Sequence, residues 1–226
     1  MSTTTPGCIG IILDGNRRWA KEKRLPTLEG HRRGYERTLD CVRWVRDRGI
    51  KHLVVYAFST ENWNRAEEEV SYLMNLFREA IEKGLKQLVE EKVRIRFIGT
   101  RDRLAPDLVS AMERIEAESA PHPFTLWVCL SYGGRAEIVA AVNKLHTQGQ
   151  GAATEATLQA ALWSAEMPDP DIIIRPGGEK RLSNFLLWQA AYSELFFIDP
   201  YWPDFSEALL DSILTEFANR ERRRGK

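Results

Sequence analysis

Six short apolar runs, at residues 8–13, 52–58, 93–98, 124–130, 171–174 and 194–198, recur along this 226-residue chain with helix-length stretches between them. Alternation at this spacing brings successive strands back in parallel, through crossovers that cover the sheet faces. The intervening segments predict helices near 32–47, 66–91, 106–119, 135–145, 158–165 and 186–192, with a last one over 205–223. The expectation is an α/β fold: one domain over residues 1–226, a central, mostly parallel six-stranded sheet flanked by helices, and a flexible polar N-terminus over about 1–7. Residues 147–154, rich in Gly, Gln and Ala, form a loop too short to divide domains.

Charge and cysteine content narrow the class. Lys plus Arg and Asp plus Glu are equal at 32 each, which argues against non-specific nucleic-acid binding, a mode that needs a basic surface. Cys8, Cys41 and Cys129 are odd in number, widely spaced and set in or near apolar runs, with no CxxC, so free thiols in a reducing compartment are expected. No apolar run approaches the roughly 20 residues of a membrane span, and the short polar N-terminus is not expected to be a signal peptide. A soluble, cytoplasmic-type protein is expected. GxGxxG, Walker A, HExxH and GxSxG motifs are all missing.

Polar residues gather where such a fold binds ligands, at the carboxyl ends of strands. The first run ends in Asp14-Gly15-Asn16 followed by Arg17, Arg18 and Trp19. One acid beside two forked cations suits a metal-diphosphate site, the acid holding Mg²⁺ and the arginines holding oxygens. The same residues also suit a plain strand–turn–helix with an Asx turn and solvated arginines. The second run ends in Ser59-Thr60-Glu61-Asn62-Trp63-Asn64-Arg65 and the fifth in Arg175-Pro176-Gly177-Gly178-Glu179, so three segments converge on one rim. His31, between Gly30 and Arg32-Arg33, stands in an anion-binding setting.

Taken together, Asp14-Gly-Asn-Arg-Arg-Trp-Ala20, Gly30-His31, Tyr56-Ala-Phe-Ser-Thr-Glu-Asn-Trp-Asn-Arg65, Tyr132-Gly-Gly-Arg135, Arg181-Leu-Ser-Asn-Phe-Leu-Leu-Trp-Gln189, Glu194-Leu195, Trp202-Pro-Asp-Phe205 and Arg220-Glu-Arg-Arg223 resemble the cis-prenyltransferases, the undecaprenyl diphosphate synthase family, along nearly the whole chain. The resemblance implies extension of an allylic diphosphate, farnesyl diphosphate being expected, by isopentenyl diphosphate, with a Z double bond at each addition and Mg²⁺ as cofactor. It implies Asp14 as metal carboxylate and Glu194 as a second acid supplied across a homodimer. Gly15, Asn16, Arg17, Arg18, Trp19 and His31 correspond to the allylic-diphosphate pocket; Arg175, Arg181, Leu182 and Ser183 correspond to the isopentenyl-diphosphate site. Asn62 stands at the family's proton-acceptor position, with Ser59, Thr60, Glu61, Trp63 and Arg65 completing that loop. A neutral amide is a weak base, so an orienting role for Asn62, with released pyrophosphate taking the proton, stays open. Trp63 and Arg65 also suit packing and a loop salt bridge. The chain departs from the family at Thr27, where a further diphosphate-binding arginine is common, and at Pro176, where threonine is usual.

A growing polyprenyl tail needs an apolar tunnel, and Val70, Leu73, Met74, Phe77, Ile81, Leu85 and Leu88 recur at helical spacing along 66–91. Phe124 and Trp127 are bulky enough to close its end, or to fill core. Three readings stand: a homodimeric enzyme making a polyprenyl diphosphate lipid carrier that is handed to a membrane; a medium-chain or irregular prenyl synthase; and a non-catalytic partner subunit. Retention of Asp14, Asn62, Arg175, Arg181 and Glu194 together argues against the third.

Overall fold

The computed structural model describes residues 5–120 and 122–220. Its strands are β1 (Cys8–Ile12), β2 (His52–Ser59), β3 (Val93–Ile98), β4 (Phe124–Tyr132), β5 (Ile172–Arg175) and β6 (Glu194–Phe197), each within two residues of the expected run. They form one sheet in the order β3-β4-β2-β1-β5-β6, parallel at every pairing. Every residue of β1, β4 and β5 is buried, which is why these strands read as continuous apolar runs rather than alternating ones. The first two strands in the chain lie side by side, whereas β5 pairs with the other edge of β1. The chain therefore reverses its winding between β1 and β5, and a crevice opens at their carboxyl ends.

The helices are α1 (Asn16–Glu22), α2 (Thr27–Asp47), α3 (Glu67–Glu79), α4 (Lys86–Glu90), α5 (Pro106–Glu118), α6 (Gly134–Thr147), α7 (Glu155–Ala161) and α8 (Glu207–Asn219). Between α3 and α4, Ala80–Leu85 runs as a π turn, so the helix expected over 66–91 is one rod with a single wide turn. Gly84 lies in it because α2 comes too close for a side chain: a Cβ there would stand 2.0 Å from the Tyr35 hydroxyl oxygen.

The structure corrects four details. Helix α1 is additional to the expected set, and α2 begins at Thr27 rather than 32. Helix α7 starts earlier, at the Thr154 cap whose hydroxyl accepts the Thr157 N–H at 3.2 Å, and it stops before Ser164, whose N–H goes to Glu137 instead. Residues 186–192 are turns, not a helix. Ser183, Asn184 and Leu186 all have positive φ, and Gln189 is drawn to the buried Glu137 carboxylate at 3.0 Å. Tertiary contacts there override an apolar spacing that imitates a helix. Residues 1–4 of the expected flexible N-terminus, like residues 221–223, lie outside the described residues. Gly7 is tied down: its N–H donates to Asp171 at 2.7 Å and its carbonyl accepts from the His52 N–H at 3.1 Å.

Close approach of α1 to α2 seats the loop after β1. A Cβ on Gly30 would lie 2.1 Å from the Asn16 carbonyl oxygen, and one on Gly34 would lie 2.4 Å from Asn16 Oδ1. Gly30→Ala should therefore overpack this crossing and destabilise the fold by about 1–3 kcal/mol. Urea unfolding with an unchanged slope and a lowered midpoint is the expected result; a wild-type midpoint would show that the helices part freely.

Candidate active site

Asp14 leaves the end of β1 and is gripped from both sides. Arg175, at the end of β5, donates to Oδ2 from Nη2 at 2.8 Å and from Nε at 3.3 Å, and Arg18 Nη2 lies 3.2 Å from Oδ1. Burial alone would raise the Asp14 carboxyl, but the Arg175 hydrogen bonds and the charges of Arg175 and Arg18 outweigh it and leave it below its ordinary 3.8. It is ionised at neutral pH. Arg175 is itself only 3% exposed and also donates to Ser183 Oγ at 2.8 Å and to the Arg181 carbonyl, so one guanidinium joins β1 to the 181–183 loop.

Gly15 turns the chain at φ +101 and must be glycine, since a Cβ would meet the Tyr201 ring at 2.6 Å. Tyr201 in turn lies under the Arg18 guanidinium, 5.3 Å from ring centre, while Arg18 Nη1 donates to the Gly177 carbonyl at 2.9 Å. Trp202 secures the same turn from behind: its backbone N–H goes to the Asp14 carbonyl at 2.9 Å and its indole to the Gly34 carbonyl at 2.8 Å.

Across the crevice, His31 Nε2 lies 3.0 Å from Glu69 Oε1, which also accepts from Arg65 Nη1 at 3.0 Å; Arg17 stands 3.9 Å from the other oxygen. Burial pushes Glu69 up, but the His31 hydrogen bond and the cations prevail and hold it below 4.5. An ionised carboxylate only accepts, so the His31 proton sits on Nε2 and Nδ1 is left as an acceptor. Burial keeps His31 below its ordinary 6.5 despite Glu69, so it is neutral at physiological pH.

These groups surround a cavity of about 320 Å³. Its mouth carries Asp14, Asn16, His31, Ser59, Asn62, Arg65, Arg175, Arg181 and Ser183; its depth carries Leu73, Leu76, Phe77, Ile81 and Leu85 with Leu126 and Val128 of β4. An adjoining, more polar pocket is lined by Gly15, Asn16, Arg17, Arg18, Lys21, Thr27, His31 and Arg65. Most of the sequence-derived residues therefore meet at one place.

Others do not. Trp19 turns away, its indole donating to Asp204 at 2.9 Å. Thr60 bonds to Glu61, and Glu61 to Asn184 at 2.8 Å. Trp63 packs edge-on to Phe58 and donates to Ser131 at 2.9 Å, and Leu182 packs on the far face of the sheet. Glu194 begins β6 opposite Ile172, which pairs with Ile9, so within one chain it stands at the amino end of the sheet, bound to Arg220 at 2.7 Å. Asn62 Oδ1 is already accepting the Ser59 N–H at 3.1 Å, leaving its NH₂ for the cavity. Neither Phe124 nor Trp127 lines the cavity: Phe124 is two residues below Leu126 in the core, and Trp127 faces the opposite side and donates to His52 at 3.3 Å. Glu69 is the main residue that sequence reasoning missed; its place in the first turn of α3, four residues after Arg65, was the available signal.

A Mg²⁺ site fits what is present. Asp14 is an ionised carboxylate that lines the mouth, and Mg²⁺ is commonly held by one or two carboxylates plus substrate phosphates.

Known proteins resemble this chain in sequence and in fold. Residues 12–225 match the family model described as "Putative undecaprenyl diphosphate synthase". The chain is 45% identical over 225 residues to an isoprenyl transferase of Neisseria gonorrhoeae, covering 99% of this chain and 91% of that protein. It is 42% identical over 228 residues to the ditrans,polycis-undecaprenyl-diphosphate synthase ((2E,6E)-farnesyl-diphosphate specific) of Pseudomonas aeruginosa, covering 98% and 91%. Among solved structures, lavandulyl diphosphate synthase from Lavandula x intermedia, in complex with dimethylallyl diphosphate, superposes with a TM-score of 0.94 at 33% identity over 98% of this chain and 99% of that one.

His31 makes the fold sensitive to acid. Its folded pKa is depressed, so the unfolded chain takes up a proton that the folded chain refuses, and stability present above pH 6.5 is lost as pH falls through the folded value. His52 is depressed in the same sense. Urea midpoints should decline as pH falls below the ordinary histidine value of 6.5, and His31→Gln should flatten that decline in part. An unaltered pH slope in the variant would mean that His31 carries its proton in the fold.

Proposed function

The chain belongs to the undecaprenyl diphosphate synthase family and is a prenyltransferase, and from that premise we propose that it condenses isopentenyl diphosphate onto an allylic diphosphate, farnesyl diphosphate for preference, with Mg²⁺, to give a Z-polyprenyl diphosphate. One observation carries the reading: a cavity whose mouth is lined by Asp14, Arg175, Arg181 and Ser183 and whose depth is apolar, the shape a charged head and a hydrocarbon tail require. No helix among the described residues is long and apolar enough to cross a membrane.

Chemically, the bond from the allylic carbon to its diphosphate breaks, a carbon–carbon bond forms to isopentenyl diphosphate, and a proton leaves the condensing unit as the double bond shifts. Charge grows on the leaving diphosphate, and fixed cations stabilise it where water is excluded. Arg17, Arg18 and Lys21 line the pocket that suits this group. Mg²⁺ bound through Asp14 and diphosphate oxygens would supply further neutralisation. Arg181 and Ser183 hold the second diphosphate, Ser183 being oriented by Arg175. Because Asn62 Oδ1 is engaged by Ser59, Asn62 orients the reacting end through its NH₂, and the released diphosphate takes the proton. The apolar depth serves as the tail tunnel. The protein acts as a homodimer, in which Glu194 on the edge strand β6 reaches the partner's site, and Leu195 and Tyr192, both exposed in the single chain, become covered.

A second, shorter-chain reading is favoured by the 0.94 TM-score to lavandulyl diphosphate synthase and by Thr27, an uncharged residue in the polar pocket. Incubation with labelled isopentenyl diphosphate, Mg²⁺ and either farnesyl or dimethylallyl diphosphate, followed by sizing of the products, separates the two.

Asp14→Asn, which keeps the shape, should lower turnover at least about a hundredfold with the folding transition retained, the scale of losing a main electrostatic stabiliser. Near-normal turnover, or full activity in excess chelator, would refute the role. Arg181→Ala should raise the KM for isopentenyl diphosphate by about ten- to a hundredfold, as expected for a lost charged hydrogen bond. A change confined to the allylic substrate would reverse the assignment of the two diphosphate sites.

A further inference from the structure

The loop after Arg181 is held in a backbone shape that it would not choose. Ser183, Asn184 and Leu186 sit at φ +49, +68 and +45, conformations that L side chains seldom adopt and that persist only where the surroundings fix them. Asn184 supplies much of that fixing. Its carbonyl accepts the Gly134 N–H at 2.8 Å and its Oδ1 accepts the Arg135 N–H at 2.9 Å, so it occupies two free donors at the start of α6. Its Nδ2 donates to Glu61 Oε1 at 2.8 Å. A backbone N–H can only donate and an ionised carboxylate can only accept, so these partners leave one orientation for the amide. The approach is permitted by Gly133, where a Cβ would stand 2.7 Å from Asn184 Nδ2 and 2.6 Å from the Thr60 hydroxyl.

Asn184 thus joins two arms of the crevice: the turn Thr60–Asn64, which carries Asn62, and the loop that carries Arg181 and Ser183. We propose that Asn184 is a positioning residue for the condensation, a tie that fixes how far the group holding the second diphosphate stands from the group facing the reacting end. This rests on the reading that isopentenyl diphosphate lies between those two arms. A misplacement of either end costs reaction geometry even when each group is intact.

The test exchanges donor for acceptor. Asn184→Asp keeps the side-chain shape, tolerates positive φ, still accepts the Arg135 N–H and places negative charge at a helix start, where it is favourable. It removes the donor to Glu61 and sets a second carboxylate in its place. Asn184→Gly removes the tie without adding charge and takes φ +68 freely. Both full-length variants should raise the KM for isopentenyl diphosphate about five- to tenfold, the scale of one hydrogen bond, with the KM for farnesyl diphosphate changed less than about twofold. Adding Glu61→Gln to Asn184→Asp restores a matched donor and acceptor and should recover at least about threefold of the loss. A purely structural role predicts instead a lower melting temperature with both KM values moving together.

Unmoved KM values in both variants would overturn the proposal. So would an effect confined to the aspartate, which is charge repulsion, or a double variant no better than Asn184→Asp alone. If Asn184→Asp fails to fold, Asn184→Gly decides by the same split. A wild-type chain inert toward both diphosphates overturns the condensation reading and this inference together; an active wild type with unmoved variants overturns only the inference.

Discussion

The contact between Asp14 and Arg175 organises everything around it. It spans the place where the sheet reverses its winding, so the acid at one strand end and the guanidinium at the next face each other without any loop having to be long. With Arg175 buried and Asp14 only partly exposed, removing either partner would strand a charge, a loss of about 3–5 kcal/mol for a buried pair. The same guanidinium reaches Ser183, and the same carboxylate reaches Arg18, so the apolar-based cavity and the adjoining polar pocket share one electrostatic centre. Neither pocket can be altered there without the other responding.

The opposite wall works by a similar economy. Glu69 holds a histidine and an arginine at once and attracts a second arginine, and these three come from α2, the end of the Thr60–Asn64 turn and α1. Without the carboxylate, the like charges of Arg17 and Arg65 would act on each other unrelieved. In this way the protein keeps a mouth rich in cations while burying very little uncompensated positive charge.

The sheet was legible in the sequence because a parallel strand buried on both faces is written as a continuous apolar run, as β1, β4 and β5 are. By contrast β3, at one edge of the sheet, keeps Val93, Ile95 and Ile98 buried between two arginines. Asp14, Arg175 and Ser59 were legible because strand ends are where such runs stop, and the parallel arrangement then brings the stops together. What stayed hidden depended on contacts between distant segments. Apolar spacing over 186–192 reads as helix, yet Phe185 stacks on Tyr56 at 4.8 Å and Gln189 is claimed by Glu137, which leaves a string of turns. Nor does residue type disclose direction: Trp19 and Trp63 belong to motifs full of site residues but spend their indoles on Asp204 and Ser131. Phe124 and Trp127 were both candidates for a tunnel floor, and the alternation of a strand sends them to opposite sides.

The wide turn at Ala80–Leu85 sets the direction of the last apolar side chains that the rod sends toward the cavity. Leu73, Leu76 and Phe77 face the cavity before it, and Ala80, Ile81 and Leu85 face it from within the turn. A π turn is an α-helix carrying one extra residue, and each residue advances a helix by about 100°. Loss of one residue in that segment would swing every downstream side chain by that angle and present a different lining to whatever occupies the cavity. Insertion and deletion, rather than substitution, are then the coarse adjustment of cavity depth in this rod. The apolar lining of the cavity can change in a single genetic step while the charged mouth, anchored upstream at Glu69, keeps its register.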